Sequence, residues 1–144
     1  MYLFNFSLRI FLYETNTYSI ILLTTAAVSY CQNFQSLDTV KTYGAYDNIY
    51  LRKIYADSLA SSFVIFIKKE VNSHKHVTHS EHVQILEGKG NMTLGEKKFS
   101  VKKGDVIFIP KNTYHSLLVT SDTPVKVLSI QSPFFDGSDR VMEE

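Results

Sequence analysis

At 144 residues, 44% of them hydrophobic and 20% charged, the chain has room for one ordinary globular domain and little besides. Its formal net charge is +1, no basic run is long enough to track a phosphate backbone, and the acidic residues are not clustered, which argues against nucleic-acid and polyanion partners. The lone cysteine, Cys31, excludes an internal disulfide.

In chain order, the first feature is an apolar run, SIILLTTAAVSYCQ, over residues 19–32. It is uncharged from Ile20 to Val28, and Ala27 and Ser29 fit the small-residue positions before a signal-peptidase cut. The run falls short of the roughly 20 apolar residues of a membrane span. Residues 1–31 are therefore expected to be a signal-peptide-like leader cleaved near Ser29 to Cys31, making the mature protein periplasmic or extracellular. An uncleaved leader acting as a membrane anchor and a misassigned start are the alternatives. Two features fit less well: the only cation of the long leading segment, Arg9, is offset by Glu14, and bulky Tyr30 precedes the cysteine that a lipoprotein would acylate.

Residues 32–47 form a polar lead-in without a clear period, expected to lie along the surface. The remainder, 48–144, is read as one domain. Eight short runs rich in β-branched and aromatic residues follow one another over 49–55, 62–69, 82–88, 90–95, 97–103, 105–110, 114–120 and 125–131. Gly95, Gly104, the PKN segment and the SDTP segment punctuate them. No stretch after residue 31 holds a helical apolar period for three turns, so the expected class is all-β, a small antiparallel barrel or sandwich. The tail SPFFDGSDRVMEE is expected to lie over that barrel.

The histidines concentrate in HKHVTHSEH, residues 74–82, with His115 standing apart in PKNTYHS. Strand alternation puts His74 and His76 on one face, suited to gripping a single ion. Glu81, Val83 and Ile85 share a face that points inward, where a carboxylate needs a cation or a donor to stay ionised. His115 leads an apolar stripe with Leu117 and Val119. Taken singly, a solvated loop and a satisfied core histidine are equally ordinary readings of these residues.

The spacings carry more weight. His74-x-His76-x4-Glu81-x6-Gly88 is followed by Gly104-x5-Pro110-x-Asn112-x2-His115. This resembles the two signature motifs of the cupin superfamily, G-x5-H-x-H-x3,4-E-x6-G and G-x5-P-x-G-x2-H-x3-N, over about residues 60 to 131. The intermotif segment, residues 89–103, is of the short kind found in small single-domain cupins. The resemblance implies a jelly-roll barrel in which His74, His76, Glu81 and His115 converge on one divalent metal. It also implies that Gly88, Gly104, Pro110 and Asn112 occupy motif turns.

Three positions depart from the pattern. Lys68 replaces the leading glycine, Asn112 replaces a glycine whose left-handed conformation asparagine tolerates, and Val119 replaces the closing asparagine. His82 is expected to alternate outward, and His79 to lie solvated in the loop at the barrel mouth, with support of the metal ligands or acid-base chemistry as its alternative role.

A site of three imidazoles and one carboxylate suits Mn, Fe, Zn, Ni or Co and disfavours Mg and Ca. No cofactor beyond the metal is expected. One wall is assigned to Phe63, Ile65 and Ile67 or else to Val64 and Phe66, and no Arg, Lys or Tyr is placed in the pocket. The pocket is therefore expected to be apolar apart from the metal, favouring a small organic ligand over a phosphorylated sugar. The function expected is an exported metal-binding domain acting on or binding a small molecule, by oxygenase, isomerase or lyase chemistry if it is an enzyme. The alternative is a non-catalytic ligand-binding or sensory barrel. By likeness to small cupins, a homodimer through outer strands is compatible with the sequence.

Overall fold

The computed structural model describes residues 34–144. The leader, Cys31 and the first two residues of the lead-in lie outside them. A single 3-10 turn, Leu37–Thr39, precedes ten strands: β1 (Ile49–Ala56), β2 (Ser61–Ile67), β3 (Glu70–Lys75), β4 (Ser80–Glu87), β5 (Lys89–Leu94), β6 (Lys97–Lys102), β7 (Val106–Ile109), β8 (His115–Val119), β9 (Val125–Ser132) and β10 (Val141–Met142). They form two five-stranded antiparallel sheets, ordered β1-β2-β9-β4-β7 and β10-β3-β8-β5-β6. The all-β expectation is met. No helix among the described residues is long and apolar enough to cross a membrane.

All eight expected strands form, with ends shifted by one or two residues. Two further strands, β3 and β10, escape a search for apolar alternation. The β3 segment EVNSHK is mostly polar and is held by pairing with β8, and two-residue β10 pairs with β3.

Alternation packs the core between the sheets. Ile67, Ile85, Met92, Val101, Ile107, Ile109, Leu117, Val125 and Val127 are its buried members. Each such side chain contributes roughly 1.5–3 kcal/mol on leaving water. On β2, Phe63 and Ile67 are buried and Ile65 packs against the core, the first of the two wall assignments.

The lead-in lies along the outer face of the first sheet, as expected, and it buries more there than its polarity suggests. Val40 is buried, and the Lys126 ammonium, also buried, donates to the Leu37 carbonyl and to Glu87. A lysine on the outer face of a strand would ordinarily be solvated. Here the lead-in covers its stem and supplies an acceptor.

Tight approaches explain two glycines. Gly88 sits at φ +80°, and a Cβ there would come within 2.9 Å of the Pro124 carbonyl oxygen and Val125 Cα. Gly90 on β5 faces Leu117 and Leu118, where a Cβ would fall 2.8 Å from each.

Candidate metal centre

A bulge in β3 aims the first histidine. Val71 pairs with Leu117 and His74 with His115, so β3 spends one residue more than β8 between these pairs. Strict alternation from Val71 would send Ser73 and Lys75 inward. The extra residue changes the phase, so Val71 and His74 both line the interior cavity. His115 lies directly opposite His74, with ring centroids 4.2 Å apart. His76 follows just beyond β3 in the connection to β4, its carbonyl accepting a 2.7 Å hydrogen bond from the Asn112 N–H. Asn112 is at φ 59°, left-handed as the sequence reading of this turn requires, and Gly104 has φ 96°. Pro110 directly follows β7, and its carbonyl accepts from Thr113.

Glu81 approaches from the other sheet, paired with Ile109 on one side and Gln131 on the other. The four side chains are buried. One ring nitrogen each from His74, His76 and His115 lies within 4.8 Å of the others. Glu81 Oε2 stands 3.7 Å from His76 Nε2 and 3.6 Å from His115 Nε2. Donors bound at the ~2.0–2.2 Å typical of such metals would stand roughly 3–3.5 Å apart, close to the two Glu81–imidazole distances.

The surroundings set the tautomers. His74 Nδ1 donates to the Asn72 carbonyl at 2.8 Å, His115 Nδ1 to that of Thr113 at 3.1 Å, and His76 Nδ1 to that of Asp139. With every Nδ1 facing a carbonyl, a bound metal would find the Nε2 atoms turned toward the centre, the arrangement that metal-binding imidazoles use. Glu81 divides its oxygens similarly. Oε1 accepts from the Ser129 hydroxyl and, at 3.4 Å, from Gln131 Nε2, while Oε2 faces the histidines.

Charge states agree with this division. Burial alone would raise the Glu81 carboxyl. The His115 ring, the Ser129 hydroxyl and the neighbouring imidazole charges outweigh burial and hold it below its ordinary value. Burial, and next the charge of His115, push the His74 ring down to about 4 against the opposing Asn72 carbonyl. A carboxylate and a neutral imidazole are the forms a metal takes up. The three-histidine cluster is compatible with a divalent metal.

The cavity opening onto this group has a volume of about 130 Å³. Ile67, Met92, Ile109 and Val127 of the core form part of its lining, and Ile49, Leu51, Ile65, Phe135 and Arg140 also line it. Larger, more open grooves lie on the surface away from the histidines.

Two sequence expectations are corrected here. His79 is buried, at 6% exposure, rather than solvated. Its Nδ1 lies 2.5 Å from Asp139 Oδ2, and its Nε2 donates to the Phe134 carbonyl at 2.8 Å. The Asp139 carboxylate also accepts from the backbone N–H groups of Val77, Thr78 and His79 and from the Thr78 hydroxyl. These bonds outweigh burial and hold its carboxyl far below the usual range. The second correction is Arg140, a cation lining a cavity expected to be apolar apart from a metal. His82 is exposed, as expected, with its ring against Phe108. The signal for Asp139 and Arg140 was a charged pair in a tail that also carries two phenylalanines needing cover.

Comparison with known proteins agrees with this architecture. The family profile described as "Cupin domain" matches residues 63–131. An uncharacterised protein of Methanocaldococcus jannaschii is 36% identical over 110 residues, covering 71% of this chain and 87% of that one. Among solved structures, a Klebsiella pneumoniae protein with a double-stranded β-helix domain superposes with a TM-score of 0.66 at 15% identity, over 78% of this chain and 97% of the other. Pac13, a nucleoside dehydratase known with uridine as the Streptomyces protein, superposes with a TM-score of 0.60 at 16% identity, over 69% and 82%. The chain belongs to the cupin family.

Proposed function

We propose that this cupin holds one divalent transition metal on His74, His76, His115 and Glu81 and presents it to a small organic molecule bound in the adjoining cavity. The observation carrying this reading is the convergence of three buried imidazoles, each with Nδ1 committed to a backbone carbonyl, beside an ionised carboxylate. When bound, such a metal supplies Lewis-acid activation of a ligand oxygen and, for Fe or Mn, a route to dioxygen. The chain's own contribution is to orient four donors and to keep water limited. The cavity, about 130 Å³, compares with the ~150 Å³ that takes a benzene ring, so a small molecule or one end of a larger one fits. The known binding of uridine by Pac13 is a property of that protein, and it makes a ligand in this barrel type reasonable here.

Purifying the chain without a chelating tag and measuring its metals by elemental mass spectrometry tests the site. About one equivalent of a transition metal, lost in the His74→Ala/His76→Ala variant, is expected. No metal in either protein, before or after reconstitution, would remove the reading.

A second reading is a binding barrel without turnover. It is favoured by the cavity's remaining polar lining, Ser116, Gln131 and Arg140, which holds no group suited to proton transfer near neutral pH. A ligand recovered chemically unchanged after long incubation would select it. We also propose export through the residue 1–31 segment, supported by the uncharged run from Ile20 to Val28. Fractionation of cells expressing the full chain, with N-terminal sequencing of the product, decides that point.

A further inference from the structure

A solvent-exposed cation, Arg140, stands at the mouth of the cavity with no carboxylate of the described residues paired to it. Arg140 reaches the cavity from the residue before β10, and its Nη2 lies 3.4 Å from His74 Nδ1. That nitrogen already donates to the Asn72 carbonyl, so the contact brings two donors together and satisfies neither. Among the described residues no carboxylate lies within ion-pair distance of Arg140. Asp139 is spent on the 77–79 backbone, Thr78 and His79. Glu81 is spent on Ser129, Gln131 and the imidazoles. Partial desolvation draws the guanidinium down from its ordinary value, opposed only by attraction to Glu81.

Charge balance gives this a direction. Glu81 is the carboxylate that faces the buried imidazoles, so a divalent ion would leave the inner cavity with about one positive charge, to which Arg140 adds a second at the mouth. A ligand that enters gains by bringing negative charge. The walls around the cation are carbon: Ile49 and Leu51 are 39% and 51% exposed at the mouth, beside Ile65, Val71 and Phe135. A ligand skeleton would cover them.

We propose that the cavity takes a small organic acid, one carboxylate of which is held by the Arg140 guanidinium while its carbon skeleton lies against Ile49, Leu51 and Phe135. The planar fork of arginine matches a carboxylate with two parallel hydrogen bonds, which a neutral amide cannot reproduce. Cavity size favours a short acid over a sugar phosphate or nucleotide. The inference rests on the metal reading for the second, inner attachment of the ligand, and on Arg140 alone for the outer one.

The test uses the full chain, both Co(II)-loaded and chelator-treated, titrated calorimetrically with malonate, malonamide and inorganic phosphate. Malonate is expected to bind and malonamide to fail. Arg140→Gln is expected to weaken malonate by about tenfold or more, and Arg140→Lys to restore part of the loss. The Co(II) content, the visible spectrum before ligand is added and the unfolding midpoint should be unchanged in Arg140→Gln, which keeps the metal reading separate. Equal malonate affinity in the wild type and Arg140→Gln would overturn the inference. Phosphate binding more tightly than malonate would also overturn it, since the cation would then serve a phosphoryl group. Arg140-dependent malonate binding by a chain that takes up no Co(II) would support it while the metal reading fell.

Discussion

Removing the carboxylate of Asp139 should loosen both the fold and the metal centre, because one residue ties the tail to the loop that carries His76. Asp139→Asn keeps the shape. It can, however, turn an amide N–H toward the Thr78 and His79 N–H groups and the Thr78 hydroxyl that Oδ2 now accepts from, at 2.7, 3.2 and 2.6 Å. His79 Nδ1, 2.5 Å from the same oxygen, would lose its partner as well. The two side chains are 7% and 12% exposed, so the pair is covered but lies close to the surface. Breaking a buried pair from one side costs ~3–5 kcal/mol, and the shallow position argues for about 3. For a domain of this size that corresponds to a fall in Tm of roughly 10–20 °C. The depressed Asp139 carboxyl contributes its stability above the unfolded-state value and loses it as pH falls, so at pH 7 the full effect is present. Urea unfolding of chelator-treated protein at pH 7 reads the fold. Competition with a chromophoric chelator reads the metal. Affinity should drop about 10- to 100-fold, because the Asp139 carbonyl that orients His76 belongs to the released segment. A variant within about 0.5 kcal/mol of the wild type and unchanged in metal affinity would refute the idea that the tail organises this centre.

Three further outcomes are expected. Glu81→Gln should lose bound metal while its chelator-treated form keeps a Tm within about 5 °C of the wild type, since a neutral amide keeps contacts to Ser129 and Gln131; circular dichroism and elemental analysis check both. Chelator-treated protein should weaken as pH falls from about 6.5 toward 4. The unfolded chain binds a proton at His74 in that window and the folded one, with this ring pushed down to about 4, does not. The loss is about 3 kcal/mol, and a His74→Asn variant followed by urea unfolding should show a flatter profile. Gly88→Ala should cost about 2 kcal/mol or more, because it strains a φ of +80° and drives a methyl to 2.9 Å from backbone that has no rotamer to yield. An unfolding midpoint equal to the wild type would contradict that packing account.

The sequence by itself determined the all-β class and the eight apolar strands, because alternation has a period of two and is written locally. It also determined the inward face of Glu81, Val83 and Ile85, and through motif spacing it singled out the residues that come together. What only the tertiary structure decided was non-local. Polar β3 exists through its pairing with β8, and its bulge, invisible in composition, turns His74 toward the cavity. His79 looked like a loop histidine because its carboxylate lies sixty residues away in a tail without periodic pattern. Lys126 is buried only because the lead-in, from the other end of the domain, covers it and supplies the Leu37 carbonyl. Arg140 stays exposed, and only the pairing of β10 with β3 sets it at the cavity mouth. Short-range steric preference fixes which way a side chain points along a regular strand, whereas bulges and docked termini follow from contacts that exist only once the sheets have closed.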